Sequence, residues 1–469
     1  MTVVLINLAI SLAVLVRLYL RGGTRNVLVS VAAVFVFFSF GPLINLVVGT
    51  SVYEGIVTEQ IPRASTGFAL ALVAMAIGDL VAPQRRTFDK ARLARPAKAY
   101  ELLPVVLAGL AVYALFVVVS KGPDMIDLDK LERLALAGPW HGGYLLLEAF
   151  ALSMYFIAKR TRLTRNVYWV NAGLYLAYCL ATAERDFIFI FFSLLIQAQL
   201  LKNRAGSTRI VLAGVGFFVL ASFLAAARQS QDVSMEQALN QGSITFVDTF
   251  VMNIVPHYVP YYSGATYLDN LLGVLPSWLS VKSAPSLGEW LVSLHAPGSG
   301  GGYGFSLTGE AYLNFGLPAI PVVFFLITLV HRFIVNRSDR SDWWTYLNVL
   351  FVATLMYSLR GDSLQLMKVI AYGAAFFAVC HLLSSSRTSG SPPDSDRFTA
   401  AYGEVSTDKH DRSREDGDRV IARRTWNLSE RRERCRTRVQ GVGSSSPGRV
   451  RTGGSVSAAG CDAGPGDSG

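Results

Sequence analysis

Arg185, Arg228 and Arg360 stand in the stretches TAERDF, AAARQS and SLRGDS, each where an apolar run ends. A guanidinium keeps its proton at any relevant pH and presents a planar fork that can hold an oxyanion by two parallel hydrogen bonds. Three of them at helix ends suit a permanent anion site of the size of a diphosphate. The competing reading is that each arginine snorkels to the water boundary and binds nothing.

The stretch GSGGGYGFSLTGEAYLNFG, residues 298–316, holds the second candidate. Gly304 and Gly309 have the spacing of a phosphate-binding loop, but Glu310 and Ala311 stand where that loop needs Lys and Ser or Thr. A carboxylate here suits proton transfer: it would take the proton of a hydroxyl attacking a sugar carbon as a diphosphate leaves. Alternatively, Glu310 caps a helix N-terminus, where acids are favoured. His257 is a second candidate base, or a hydrogen-bonded structural residue, within HYVPYY. Tyr258, Tyr261, Tyr262 and Tyr303 offer ring faces to sugar C–H groups, although tyrosines also gather at bilayer interfaces without binding anything. Asp127-Leu-Asp129 has the form of a metal-holding DxD. Its loop is predicted to face outward, away from sugar nucleotides, and IDLDKLERL reads as an exposed helix, so no metal site is expected. Cys179 and Cys380 fall within apolar runs and Cys435 and Cys461 in the tail, at no metal-ligand spacing.

These residues need elements to hold them. Of 469 residues, 52% are hydrophobic and 16% charged. The mean hydropathy is +0.38. The apolar residues come in blocks long enough to cross a bilayer as helices. The sequence therefore predicts an all-α polytopic membrane bundle. Eleven spans are expected, at about 2–20, 27–50, 66–83, 102–120, 143–158, 167–183, 187–201, 210–227, 317–335, 343–358 and 364–383. The first is no cleavable signal, because its basic residues Arg17, Arg21 and Arg25 follow the apolar run.

The net charge of +10 does not point to nucleic acid, because the basic residues crowd alternate short loops. Arg21 and Arg25, Arg85 to Lys98, Lys159 to Arg165, Lys202 to Arg209, and Arg332 to Arg340 fill the odd loops. Such loops face the cytoplasm, which puts the N-terminus outside and the C-terminus inside. Asp79, Glu148, His331 and Lys368 lie within or at the ends of spans, where charge calls for a partner or a function.

One outer loop, 228–316, is long, and ITFVDTFVMNIV and YLDNLLGVLPSWL within it have helical spacing. Long loops in compact proteins tend to carry function. The membrane domain is expected over 1–383. The tail, 384–469, is polar, and it is expected to be disordered and cytoplasmic. It reads either as a regulatory or lipid-headgroup-binding segment or as a non-functional extension.

The many apolar runs, the large late outer loop, TAERDFIFIFFSLL and GYGFSLTGEAYLNFGLPAI together resemble the Wzy-type O-antigen and oligosaccharide repeat-unit polymerases. That resemblance implies a metal-independent glycosyltransferase of the bacterial cytoplasmic membrane. Such an enzyme moves a growing glycan from undecaprenyl diphosphate to an incoming lipid-linked unit on the outer face. Outer-loop arginines mark the family, and Arg185, Arg228 and Arg360 match by position. No cofactor or metal is implied. The implied partners are the lipid-linked oligosaccharide, membrane lipids, and flippase and chain-length regulator proteins. Two alternatives share the topology: an O-antigen-ligase-like transferase, and a flippase or exporter of lipid-linked glycans.

Overall fold

The computed structural model describes residues 1–23, 26–48, 55–82, 100–125, 128, 130–155, 157–158, 161–182, 184, 243–275, 279, 285–295, 304–338 and 340–385. All described helices lie in the compact unit Met1–Ser389. In chain order the α-helices are α1 (Thr2–Gly22), α2 (Val27–Val48), α3 (Ile61–Val81), α4 (Leu102–Met125), α5 (Lys130–Ala137), α6 (His141–Tyr155) and α7 (Arg162–Ala181). Then come α8 (Ser243–Ile254), α9 (Ala265–Leu272), α10 (Leu287–His295), α11 (Leu307–Phe315), α12 (Ala319–Ser338), α13 (Asp342–Ser358) and α14 (Ser363–Ser385). No strand occurs among the described residues.

Among the described residues six helices are long and apolar enough to cross a membrane: α1, α2, α3 with its preceding turn, α4, α12 and α14. The expectation of eleven spans is thus met only in part. Helices α6, α7 and α13 occupy three more of the expected spans but are too short or too polar along their length to qualify. Helix α6 has only 15 residues, and α7 carries Arg162, Arg165, Asn166 and Asn171 among its apolar positions. The expected spans 187–201 and 210–227 lie outside the described residues, as does the tail.

Helices α1, α3 and α12 pack together, and one ionic cluster fixes their direction. Asp79, near the end of α3, pairs with Arg21 of α1 at 3.3 Å and with Arg332 of α12. Arg332 also donates to Asn26 Oδ1 at 3.0 Å. All three charged residues lie toward the C-terminal ends of their helices, so the helices run in the same direction. The charge pattern of the loops demands that arrangement. The close approach of α3 and α12 uses two glycines: a Cβ at Gly67 would sit 2.9 Å from Ile320, and one at Gly78 3.0 Å from Thr328. A second group of helices, α4, α6 and α7, meets around Tyr113, Tyr144, Tyr175 and Tyr178. There Asn171 donates to the buried Glu148 at 2.8 Å.

Pro42 lies inside α2, where its ring takes away one backbone donor and loosens the helix. Near this point Thr245 of α8 donates to the carbonyl of Ser39 at 2.8 Å. This bond anchors α8 on α2, and α8 is one wall of the candidate site.

Candidate functional site

The candidate site is built around α11. Ser306, extended in backbone, caps this helix by accepting from Gly309 N at 2.8 Å. The helix ends at Gly316, whose positive φ of 74° suits a residue without a side chain. Eight of its nine residues are buried, Glu310 included. Gly309 gives the glycine spacing its physical reason. A Cβ there would lie 2.6 Å from Ser306 Oγ and 3.0 Å from Asp248 Oδ1. The glycine lets α8 lay Asp248 against the start of α11, where Ser306 Oγ donates to its carboxylate. The glycine serves helix packing in this structure.

Glu310 is 0% exposed. Its Oε1 accepts from Thr266 Oγ1 at 3.2 Å, Asn270 Nδ2 at 2.9 Å and Ser363 Oγ at 2.8 Å. Its Oε2 accepts from Ser363 N at 2.7 Å. Glu310 is therefore no cap of its own helix, since Ser306 does that. It ties α11 to α9 and to the first residue of α14, whose N–H has no partner within its own helix. Burial pushes the Glu310 carboxyl up to about 7, against the pull of the Ser363 and Thr266 hydrogen bonds. Burial likewise pushes Asp248 up to about 7, against its hydrogen bonds from Ser306 and Thr308.

The turn that Glu310 holds is the one that carries Arg360. Backbone bonds from Arg360 N to Tyr357 O at 3.1 Å and Gly361 N to Ser358 O at 3.0 Å shape it. Asp362 accepts from Gln365 N at 3.3 Å and closes the first turn of α14. The Arg360 guanidinium is half-buried and lies 5.0 Å over the ring of Phe38 in α2. Arg185, Arg228 and Tyr303 lie outside the described residues.

The aromatic stretch forms the other side of the site. Tyr262 N and Ser263 N donate to Leu313 O and Asn314 O at 3.1 and 3.0 Å, which stitches the stretch to the end of α11. His257 is exposed, Tyr258 is 82% exposed and Tyr261 37%. Tyr262 is half-buried, edge-on to Trp290, which in turn meets Phe305. It acts in packing, whereas His257, Tyr258 and Tyr261 face outward from the same segment.

Two features were missed in the sequence. Arg63, in the first turn of α3, lies 5.1 Å over the ring of Tyr312, and Tyr312 meets Tyr261 edge-on at 6.2 Å. The signal was available, because Arg63 is a basic residue in a loop expected to face outward. His141, at the start of α6, is 2.8 Å from Tyr178 Oη and 3.8 Å from Glu184, the residue before Arg185. Its place in the acidic outer loop 121–142 was the available sign.

Residues 186–389 match the family model described as O-antigen polysaccharide polymerase Wzy. The Wzy match takes in the long outer loop, α11, the Arg360 turn and α14, and it leaves out α1 to α7. It agrees with the family that the sequence resembles. No curated protein and no solved structure matches the chain. Among the described residues no cluster of His, Cys, Asp and Glu has the grouping of a metal site.

Proposed function

We propose that the protein polymerises polyprenyl-diphosphate-linked oligosaccharides on the outer face of the cytoplasmic membrane, by glycosyl transfer without a metal. The observation that carries this reading is the Glu310 lock on the Arg360 turn, inside the segment that matches the Wzy family. A buried carboxylate with four donors is an expensive device unless the turn it fixes has to be held in place.

In this mechanism Arg360, with Arg185 and Arg228, holds the diphosphate of the growing chain. Their charge stabilises the negative charge that builds on the leaving diphosphate as the glycosidic C–O bond breaks. The hydroxyl of the incoming unit forms the new bond at the same carbon, and its proton passes to a base. Glu310 was the first expectation for that base. Its lack of exposure and its four donors favour a positioning role, and His257, exposed beside Tyr258, takes the proton. Tyr258 and Tyr261 stack against sugars, and Tyr303 belongs with them by sequence. Flippase and chain-length regulator proteins act before and after the transfer.

Reconstitution tests the proposal. Purified protein in liposomes, given a lipid-diphosphate oligosaccharide, should yield a ladder of longer glycans that Arg360→Ala suppresses. Movement of the lipid across the bilayer without a ladder would favour the exporter alternative.

A further inference from the structure

Arg63 and the turn that carries Arg360 are both tied to α11. Arg63 reaches α11 through Tyr312, and the Arg360 turn reaches it through Glu310. These two residues are two apart on one helix, so their side chains leave it about 200° apart. The helix between them is buried. Arg63 and the Arg360 turn are thus tied to residues on different sides of α11.

The space beside Arg63 has a defined chemistry. Tyr312 is buried beneath the guanidinium, with its hydroxyl directed to Val255 O at 3.4 Å. Tyr261 stands edge-on to Tyr312 and is 37% exposed. It is seated by Gly316, where a Cβ would lie 3.0 Å from the Tyr261 hydroxyl. No described carboxylate pairs with Arg63. A half-buried cation, oriented by a ring and without a counter-ion among the described residues, stands beside an exposed tyrosine on the segment that carries Tyr258. A fork of this kind takes a carboxylate or phosphate in two parallel hydrogen bonds, and the tyrosine takes the C–H face of the ring that bears it.

We infer that Arg63, Tyr312 and Tyr261 form a subsite for an anionic sugar of the glycan, one bearing a carboxylate or a phosphate on its ring. The inference rests on the glycan-transfer reading for its place in the reaction and narrows the substrate to an acidic repeat unit. Arg63 contacts this sugar and sets specificity. Tyr312 acts through Arg63 and is a positioning residue.

Binding to the full-length protein in lipid nanodiscs tests it without turnover. Calorimetry compares a uronic-acid trisaccharide, a phosphorylated trisaccharide, their neutral counterpart, and a polyprenyl diphosphate without sugar. The wild type should prefer an anionic trisaccharide over the neutral one by about 10- to 100-fold, the range of a charge-assisted hydrogen-bond pair. The anion bound more tightly names the substituent. Arg63→Gln should bring the anionic and neutral affinities to within about twofold, and Arg63→Lys should keep part of the preference. Equal binding of charged and neutral sugars by the wild type overturns the inference. So does a selective loss of bare polyprenyl diphosphate in Arg63→Gln, because the arginine would then belong to the headgroup site. If Arg63→Gln loses every probe, Arg63→Lys decides: an equal loss on charged and neutral sugars overturns the subsite, and a loss confined to the charged sugar supports it. A wild type that shows the preference but yields no glycan ladder refutes the polymerase reading and leaves the subsite standing.

Discussion

Replacing Glu310 separates a positioning carboxylate from a catalytic one. In Glu310→Ala, four donors lose their acceptor: Ser363 N, Ser363 Oγ, Thr266 Oγ1 and Asn270 Nδ2. At about 1 kcal/mol each, that is about 4 kcal/mol, and the space left by the side chain adds to it. Removing a buried charge offsets part of this, which leaves a net loss of about 2–4 kcal/mol. Glu310→Gln keeps the volume, keeps one acceptor oxygen and removes the charge, so its net loss should be only about 0–2 kcal/mol. The Arg360 turn should then stay close to its place. The assay pairs thermal unfolding in detergent with the initial rate of ladder formation in liposomes. The account predicts that activity follows stability: strongly reduced in Ala, largely kept in Gln. A Gln variant with wild-type stability and no more activity than Ala would refute it, because only a carboxylate that moves a proton fails in that way.

Other outcomes follow from the same geometry. Asp248 and Glu310 both have folded-state pKa values near 7, above their ordinary values, so the folded protein holds protons that the unfolded chain has lost. Stability should fall as pH rises from about 4.5 to about 7, by at most about 1.4 kcal/mol per unit for each group, and then level off in unfolding midpoints. Gly309→Ala should cost about 1–3 kcal/mol and slow the ladder, because its Cβ collides with Ser306 and Asp248. Asp79→Asn leaves Arg332 buried without its counter-ion and should cost about 3–5 kcal/mol, largely recovered by adding Arg332→Met, in unfolding of the single and double variants. Tyr258→Ala should leave stability within about 0.5 kcal/mol, since the ring is 82% exposed, while raising the KM for the lipid-linked glycan.

The membrane helices were legible because their signals are local. Apolar length and alternating loop charge mark α1 to α4, α12 and α14, and the Asp79 cluster brings together three helix ends that the charge rule had put on one side. ITFVDTFVMNIV became α8, and among the described residues of YLDNLLGVLPSWL the helix is the short α9, which ends before Gly273. The site was legible as a set of residue types and less so as roles. Glu310 was found by a near-miss motif, but its partners lie 40 to 53 residues away on two other helices, and no local spacing reports such a contact. For the same reason the spacing of Gly304 and Gly309 showed only that a phosphate loop was incomplete, and not that Gly309 packs against Asp248. The role of Arg63 was not legible, because it precedes an apolar run and its meaning comes from Tyr312, far along the chain.

The central claim is that a diphosphate leaves each time a glycosidic bond forms. The direct measurement counts free polyprenyl diphosphate against new glycosidic bonds in sealed liposomes containing the protein and one lipid-linked oligosaccharide. The account predicts one diphosphate lipid released per bond, with both falling together in Arg360→Ala. Release without chain growth, or lipid movement with neither, would contradict it.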